Sequence, residues 1–336
     1  MTDATLSTQA LLSLEEARDL IANGRRLLVA GDERLLSQLP TGQWIGGTIP
    51  YFMAASGGTF SHDGVFVTEL PADIAGVEIQ TYAPANLANL YTDIPENGFG
   101  VVILPASSPA HLEFAVHAPE YDGFAMRPLI GWISGVDLAD LGKVTPKVFD
   151  GRNGACLENA AVVMHVQLRD HQVAEIGIIN LFGQGPGDVL EFPETGFSAG
   201  DVFVNGERRN FAAYIKERDL NLQLPLVADY AGAMINISFQ GVDEATGRVN
   251  FYAPVFSGVS YRQARPVSDY VAEFNEALAT ADHGVVAFSC NCILNYLFSK
   301  LEGKQTGHFT GPITFGEVAY QLLNQTMVYL SVTSTN

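Results

Sequence analysis

Basic residues are scarce in this sequence. The chain of 336 residues carries 18 lysines and arginines against 37 aspartates and glutamates, which gives a net charge of −19. The densest basic clusters are only the pairs Arg25-Arg26 and Arg208-Arg209. Nucleic acids and anionic membrane surfaces both require clustered lysine and arginine. The composition therefore excludes both classes of partner, and we interpret the acidity as serving solubility.

The sequence also lacks long apolar segments and a secretory leader, and its number of cysteines is odd. No stretch approaches the roughly 18 continuous apolar residues that a membrane-spanning helix needs. Residues 1–9 lack the basic and apolar regions of a signal peptide. The three cysteines, Cys156, Cys290 and Cys292, cannot all pair within one chain. We therefore expect a cytoplasmic protein with reduced thiols.

The usual motifs for phosphates and metals are lacking as well. The chain has no Gly-Lys-Ser/Thr of a P-loop, and its glycine-rich turn Gly46-Gly47-Thr48 departs from Gly-x-Gly-x-x-Gly. His283 and His308 are the histidines nearest to Cys290 and Cys292, and neither has zinc-finger spacing. We predict no cofactor and no metal site. The turn at residues 46–48 is expected to allow close approach of the backbone to a neighbouring strand or a ligand.

Strands alternate with helices through the first half of the chain. Residues 100–105 predict a buried strand, residues 109–118 a helix and residues 128–134 another strand. Such alternation is typical of an α/β or mixed α+β architecture. We expect two related layered units of mixed β-sheet backed by helices, with an αββα sandwich as one arrangement. A cluster of turn residues places the boundary, which gives domains of residues 1–145 and 146–336.

Several local signals predict individual elements. Ser13 and Glu16 form a capping box for a helix over residues 13–23, and Asn205-Gly206 predicts the turn of a hairpin. Further segments are predicted as hairpins over residues 158–168 with 172–180 and 233–242 with 248–253, helices over 210–218 and 266–281, and a loop over 54–64.

The most informative stretch is residues 285–332. An apolar, β-branched run at 285–288 predicts a buried strand that ends in small polar residues, and helical spacing follows over 293–301. A Gly-Pro turn and a last apolar strand come after it. Ligands of α/β proteins lie at strand ends. We therefore predict a small-molecule site that consists of Ser289, Cys290, Asn291, Cys292, Phe315, Gly316, Glu317 and Asn324, together with Gly46, Gly47 and Thr48.

Each of these side chains also has a structural interpretation. Free cysteine is among the most buried residue types, so we expect one thiol in the core and the other on a pocket wall. Glu317 follows a glycine and precedes an apolar run, which predicts the first turn of a helix. There it either caps the helix or binds the ammonium group of a ligand. Asn324 is either a turn residue or a ligand contact.

The chain resembles the FIST family, a bacterial sensory domain. The similarity lies in the strand before Ser289-Cys290, the early strand at residues 44–48, the hairpin and helix at 202–214, and the motifs Gly311…Phe315-Gly316-Glu317 and Asn324-Gln325-Thr326. It covers most of residues 25–335. The resemblance implies binding of a small ligand such as an amino acid, without catalysis. The sequence departs from the family where an arginine follows the strand-end cysteine, because Cys292-Ile293-Leu294 occupies that position.

Three functional hypotheses follow from these observations. The first is a cytoplasmic sensory module of FIST type that binds an amino acid or related amine without a cofactor and signals through a protein partner. The second is a hydrolase with Cys290 as nucleophile, which needs a histidine to activate the thiol. The third is an interaction protein without a ligand, which the missing arginine favours.

Overall fold

The computed structural model describes residues 8–280 and 284–334. In this part of the chain the architecture is mixed α/β, as the sequence predicts. The α-helices are α1 (Leu14–Ala22), α2 (Glu33–Leu36), α3 (Pro109–His117), α4 (Phe211–Arg218), α5 (Tyr270–Thr280) and α6 (Ile293–Phe298). Short 3₁₀ helices cover Pro84–Asn89, Ala118–Glu120 and Leu138–Asp140.

The strands form most of the regular structure. The first half contributes β1 (Gln9–Leu12), β2 (Leu27–Gly31), β3 (Trp44–Thr48), β4 (Tyr51–Ala54), β5 (Gly57–Phe60), β6 (Val65–Glu69), β7 (Gly76–Tyr82), β8 (Gly98–Pro105), β9 (Leu129–Ser134), β10 (Val148–Asp150), β11 (Ala155–Leu157), β12 (Ala161–Gln167) and β13 (Gln172–Ile179). The second half contributes β14 (Leu190–Glu191), β15 (Gly196–Ala199), β16 (Asp201–Val204), β17 (Glu207–Asn210), β18 (Leu226–Tyr230), β19 (Ala233–Ile237), β20 (Phe239–Asp243), β21 (Arg248–Val255), β22 (Ser260–Gln263), β23 (Val286–Cys292), β24 (Gly311–Thr314), β25 (Glu317–Ala319), β26 (Gln321–Leu323) and β27 (Met327–Ser334).

Among the described residues, these strands form both mixed and purely antiparallel sheets. The sheet that we call central has the order β26-β25-β9-β8-β12-β7. The others have the orders β1-β6-β2-β3-β10-β11, β13-β27-β23-β24-β4-β5, β17-β16-β14-β22-β18-β19 and β15-β21-β20. Strands from both sides of residue 145 share three of these sheets, the central sheet among them. The division into domains of residues 1–145 and 146–336 stays a prediction.

The central sheet separates two hydrophobic cores. Along β8, Val101 and Ile103 face a core that also contains Trp132 of β9. The alternate residues Val102 and Leu104 face a second core that contains Phe114 of α3. Alternate side chains of a strand point to opposite faces of the sheet, so β8 is buried on both sides. This double burial explains why residues 100–105 are apolar without interruption.

Local signals near turns and helix starts are confirmed. Ser13 and Glu16 form the predicted capping box at the start of α1. Strands β16 and β17 pair across the Asn205-Gly206 turn, and Asn210 caps α4 by accepting from the Ala213 N–H at 2.9 Å. The predicted hairpin of residues 233–242 with 248–253 is confirmed in part, because β20 and β21 pair whereas β19 pairs with β18.

Three predictions of local structure, a hairpin, a loop and a helix start, are wrong. Strands β12 and β13 do not form a hairpin, because β12 pairs with β7 and β8 while β13 pairs with β27. Residues 54–64 include β5, which pairs with β4. Glu317 begins strand β25 instead of a helix, because it pairs with β9 and β26.

The remaining helix predictions hold with shorter bounds. Helix α5 begins at Tyr270 instead of residue 266, and α6 ends at Phe298. Ala281, the end of the predicted helix, and His283 lie outside the described residues. Among the helices that the structure describes, none combines the length and apolarity needed to cross a bilayer.

Candidate functional site

Parallel strand pairs end beside two adjacent cavities. Within residues 8–280 and 284–334, the pairs β2/β3, β8/β9 and β23/β24 run parallel. The segments that follow these strands contribute to the walls of both cavities. The carboxyl ends of parallel strands are where α/β proteins bind ligands. The topology therefore identifies this region as the candidate site.

The first cavity, which we call the large cavity, has a volume of about 960 Å³. Its walls include His111 after β8, Leu138 after β9, Leu294 in α6 after β23 and Phe315 after β24. The long strand β21 adds Tyr252. A volume of this size is near the upper end of the range for small-molecule sites, roughly 300–1,000 Å³. The large cavity can accommodate a metabolite.

Polar side chains are distributed among the apolar ones in this wall. Lys143 and Glu158 supply one charge of each sign, and Asn159, Gln240 and Asn250 supply amide groups. Glu158 also lies 3.5 Å from Lys147. An apolar wall with a few polar groups is the usual composition of a site that orients one small molecule.

His111 is the most unusual polar residue of the large cavity. Its side chain is buried at 6% exposure, and Nδ1 accepts the backbone N–H of Ser107 at 3.1 Å. Ser107 occupies the turn from β8 into α3 with φ of 59°. Burial lowers the pKa of His111 to about 4, and Nε2 has no hydrogen-bond partner among the described residues. A buried donor without a partner is a feature that a ligand can satisfy.

No sequence motif directly indicates a role for His111. The available signal was Ser108-Pro109 after a buried strand, which is a helix start. Ser108 does cap α3, because its Oγ accepts the His111 N–H at 3.1 Å. Because α3 follows the central strand β8, a residue in its first turn lies near the end of that strand. This position is the sequence signal that could have identified His111.

The four predicted residues at the end of β23 are buried behind the cavity wall. Ser289 Oγ donates to the Thr310 carbonyl at 2.8 Å, and Cys290 Sγ donates to the Gly131 carbonyl at 3.4 Å. Asn291 and Cys292 are 4% and 1% exposed. None of these four lines the large cavity, whose nearest wall residues in sequence are Ile293 and Leu294. The strand was predicted at residues 285–288, but β23 continues to Cys292, and the side chains of its last four residues lie inside the protein.

Glu317 is fully buried in the same interior region. Oε2 accepts from Thr326 Oγ1 at 2.8 Å and from the Thr326 N–H at 3.4 Å, whereas Oε1 has no partner among the described residues. Burial raises the pKa of Glu317 to about 8. Burial first, and the nearby Glu317 second, raise the pKa of Cys290 and Cys292 well above the usual range. Neither thiol is activated as a nucleophile.

A chain of hydrogen bonds links this carboxyl group to the strand end. Asn295 Nδ2 donates to Asn291 Oδ1 at 3.0 Å and to the Thr326 carbonyl at 3.3 Å. We call Asn291, Asn295, Glu317 and Thr326 the buried polar cluster. Asn291 Nδ2 and Asn295 Oδ1 find no partner in the described part of the chain. The cluster therefore retains unsatisfied donors and acceptors within the core.

The remaining predicted residues do not share one cavity. Phe315 lines the large cavity, and Gly316 beside it has φ of +154°. Asn324 is 1% exposed, and its Oδ1 accepts the Ser238 N–H at 3.5 Å. Gly46 and Gly47 lie in β3, where a Cβ at Gly47 would come within 3.0 Å of Trp132 Nε1. These glycines allow close packing of neighbouring elements, which is one of the two roles that the sequence predicts.

Thr48 lines the second cavity, which we call the small cavity and which has a volume of about 260 Å³. There His62 Nδ1 lies 2.7 Å from Asp32 Oδ2, and His62 Nε2 lies 3.2 Å from Asp137 Oδ2. Burial lowers the pKa of His62, but the hydrogen bonds to both carboxylates outweigh it and raise the pKa. We call His62, Asp32 and Asp137 the trio, and these three residues join three loops. Within the described residues, no three acidic, histidine or cysteine side chains are arranged to hold a metal ion.

Comparison with known proteins yields one family. A model described as a family of unknown function, DUF6976, matches residues 12–333. A search of curated proteins finds no match. Neither comparison links the chain to the FIST family, so that resemblance stays a prediction.

Proposed function

Since the chain belongs to DUF6976, a family of unknown function, its role has to be argued from its own residues, and we propose that it binds a small molecule without catalysis. The ligand occupies the large cavity. This is the activity expected of a cytoplasmic sensory module of FIST type, which passes on ligand binding through a protein partner.

One observation carries the proposal. The ends of two parallel strand pairs, β8/β9 and β23/β24, contribute wall residues to a single cavity of about 960 Å³. Loops at such ends are free to vary while the strands hold them in place, which is why α/β proteins bind ligands there.

The ligand class follows from the residues of the wall. The resemblance to the FIST family implies an amino acid, and Glu317 was the residue expected to bind its ammonium group, but that side chain is fully buried and burial raises its pKa to about 8. The acidic residue in the wall is Glu158, and the basic residue is Lys143. With one group of each sign among apolar side chains, the cavity suits a zwitterion with an apolar body. We retain amino acids as the first class to test.

Two neighbouring residues of α6 provide a matched test. Leu297 and Phe298 are similarly exposed, at 40% and 37%, but only Leu297 lines a described cavity. A thermal-shift screen of amino acids, amines and metabolites on the wild type identifies ligands, and calorimetry measures each hit. Leu297→Trp is expected to weaken binding at least tenfold by filling the cavity, whereas Phe298→Trp leaves it unchanged.

The opposite outcome would contradict the proposal. Equal affinity of the wild type and Leu297→Trp for a confirmed ligand places binding elsewhere. The absence of any ligand in a broad screen favours the interaction-protein hypothesis instead.

A second candidate function is a serine-dependent hydrolase. Ser107 lies in a sharp strand-to-helix turn with positive φ and lines the large cavity. Hydrolases place their nucleophile in such a turn. However, His111 accepts from the backbone N–H of Ser107, and burial lowers its pKa to about 4. This imidazole is a weak base for activating a hydroxyl. The geometry therefore favours binding over hydrolysis.

Turnover separates the two functions. The wild type is expected to hydrolyse a panel of esters, amides and thioesters no faster than Ser107→Ala or Cys290→Ala. A rate that falls by orders of magnitude in Ser107→Ala alone would identify the hydrolase. A fall in Cys290→Ala alone would restore the cysteine-dependent alternative, which the buried, protonated thiol does not support.

A further inference from the structure

We propose that the turn between β8 and α3 is a carboxylate subsite of the large cavity, where the Nε2–H of His111 donates to a carboxylate of the ligand. This inference rests on the proposed function, because it identifies which part of the ligand binds at which wall of the cavity.

The hydrogen bonds of His111 determine which nitrogen carries its proton. The Ser107 N–H donates to Nδ1 at 3.1 Å, so Nδ1 is an unprotonated acceptor. In a neutral imidazole the proton is then on Nε2. The ring is neutral near neutral pH because burial lowers its pKa to about 4. His111 therefore presents a fixed donor.

The surroundings hold the His111 imidazole in the cavity wall. Phe197, which also lines the cavity, packs edge-on against the imidazole with ring centroids 5.9 Å apart. The ring is held on one edge by the Ser107 backbone and on another by this aromatic contact, while Nε2 finds no acceptor within the described residues. Leaving a buried donor unpaired is destabilising. A ligand oxygen removes that penalty, and Nε2 is therefore the anchor for a polar group of the ligand.

The sign of the local field favours an anion. Helix α3 has nine residues and no acidic residue in its first turn. Its amino-terminal end carries a partial positive charge of roughly half an elementary charge. His111 lies in that first turn, and Ser107 and Ser108 before it also line the cavity. A neutral N–H donor beside a positive helix end binds a carboxylate better than an amide and repels an ammonium group.

A competition assay with chemically matched probes tests the subsite. The fluorescent sulfonate 8-anilinonaphthalene-1-sulfonate combines an apolar body with an anionic group, and its displacement reports binding in the large cavity. Octanoate, octanamide and octylamine share one apolar chain and differ in the head group. Octanoate is expected to displace the dye at the lowest concentration, and octylamine at the highest.

Substitution of His111 then assigns the preference to one donor. His111→Asn keeps an acceptor near the position of Nδ1 for the Ser107 N–H but removes Nε2. It is expected to weaken octanoate binding roughly ten- to a hundredfold, the usual effect of losing a hydrogen bond to a charged group, and to leave octylamine unchanged. His111→Gln retains a donor near Nε2 and is expected to restore much of the affinity. His117→Asn is the control, because His117 lies on the same helix, has a side chain that is 44% exposed and pairs with Glu120 at 3.3 Å.

Measurements on the wild type keep the test valid if both substitutions unfold the protein. The Nε2–H resonance of His111, observed by nitrogen-15 NMR, is expected to shift when octanoate is added. An unchanged resonance in octanoate-saturated protein overturns the subsite.

The outcomes distinguish the subsite from the cavity. If Leu297→Trp abolishes dye binding while His111→Asn binds octanoate as tightly as the wild type, the cavity stands and the subsite falls. If the dye does not bind the wild type, or binds Leu297→Trp unchanged, both proposals fall. If inorganic phosphate displaces the dye as well as octanoate does, the assignment to a carboxylate is wrong.

Discussion

Thr326 donates its hydroxyl hydrogen to Glu317 Oε2 at 2.8 Å, and both residues are fully buried. Among the described residues, no basic side chain forms an ion pair with Glu317. The carboxyl group is thus hydrogen-bonded but not neutralised by a cation. Its second oxygen, Oε1, has no partner within the described residues. Burial of such a group favours its protonated form.

The first prediction concerns Glu317 and pH. Its pKa is raised by burial from 4.5 to about 8, so the folded protein holds a proton that the unfolded chain has released. Stability is then fully present below about pH 4.5 and declines as pH rises toward about 8, by at most roughly 1.4 kcal/mol per pH unit. Glu317→Gln cannot ionise and is expected to remove this decline. Urea unfolding at about pH 5 and about pH 8 measures how the free energy of unfolding changes with pH in the wild type and in Glu317→Gln.

The control for this experiment is Glu244→Gln, since Glu244 is exposed in the turn between β20 and β21. It is expected to keep the pH dependence of the wild type. Identical slopes for the wild type and Glu317→Gln would mean that the carboxylate is ionised in the folded protein and that a compensating group is nearby.

The contrast between predicted and observed site residues has a physical cause. An apolar run is a local signal, so a strand over residues 285–288 was predictable, although β23 continues through the polar residues to Cys292. Whether a strand-end side chain faces a cavity or the interior depends on the sheet that packs against it. Cys290 meets the Gly131 carbonyl of the central sheet, and nothing in the sequence near Cys290 encodes that neighbour.

The pairing of strands was less predictable for the same reason. Two apolar segments joined by a short polar turn favour a hairpin, yet β12 inserts between β7 and β8. The competing partners are about 60 to 90 residues away in sequence, and local turn chemistry carries no information about them. In contrast, the Ser13 capping box and the Asn205-Gly206 turn depend only on neighbouring residues, and both are confirmed.

The second prediction concerns the thiols. All three cysteines are free, and Cys156 is exposed whereas Cys290 and Cys292 are 2% and 1% exposed. Ellman's reagent is expected to modify one thiol in the folded protein and three in the unfolded protein without reductant. Cys156→Ser should abolish the reaction of the folded protein. A single reactive thiol after unfolding would reveal a disulfide and contradict the predicted reducing compartment.

The third prediction concerns the trio at the small cavity. Two carboxylates hydrogen-bonded to His62 outweigh partial burial and raise its pKa above 6.5. The stabilisation that the charged imidazole provides is present below the pKa of the unfolded chain and is lost as pH rises through the raised folded value. NMR titration of His62 is expected to give a pKa above 6.5 in the wild type and a lower one in Asp137→Asn.

Asp140→Asn is the matched control, because Asp140 lines the same cavity and the His62 ring is bonded to Asp32 and Asp137 instead. The pKa of His62 should change little in this variant. A wild-type pKa at or below 6.5 would show that burial outweighs the two carboxylates.

The last prediction concerns the glycine of β3 that faces the central sheet. A Cβ at Gly47 would lie 2.7 Å from Ile103 Cγ2, 3.0 Å from Trp132 Nε1 and 3.1 Å from Ser134 Cβ. Ile103 and Trp132 are buried at 0% and 1% exposure, so neither has free space to move into. Gly47→Ala is therefore expected to destabilise the protein by roughly 1–3 kcal/mol, the usual cost of overpacking a core.

Gly76→Ala separates this packing effect from the general effect of replacing a strand glycine. Gly76 begins β7, and a Cβ there would meet no atom within 4 Å. Its substitution should be neutral or slightly stabilising, because alanine restricts the unfolded chain. Urea unfolding of both variants measures the difference. If Gly47→Ala is as stable as Gly76→Ala, β3 can move away from the central sheet, and Gly47 is retained for close approach of a ligand instead of for packing.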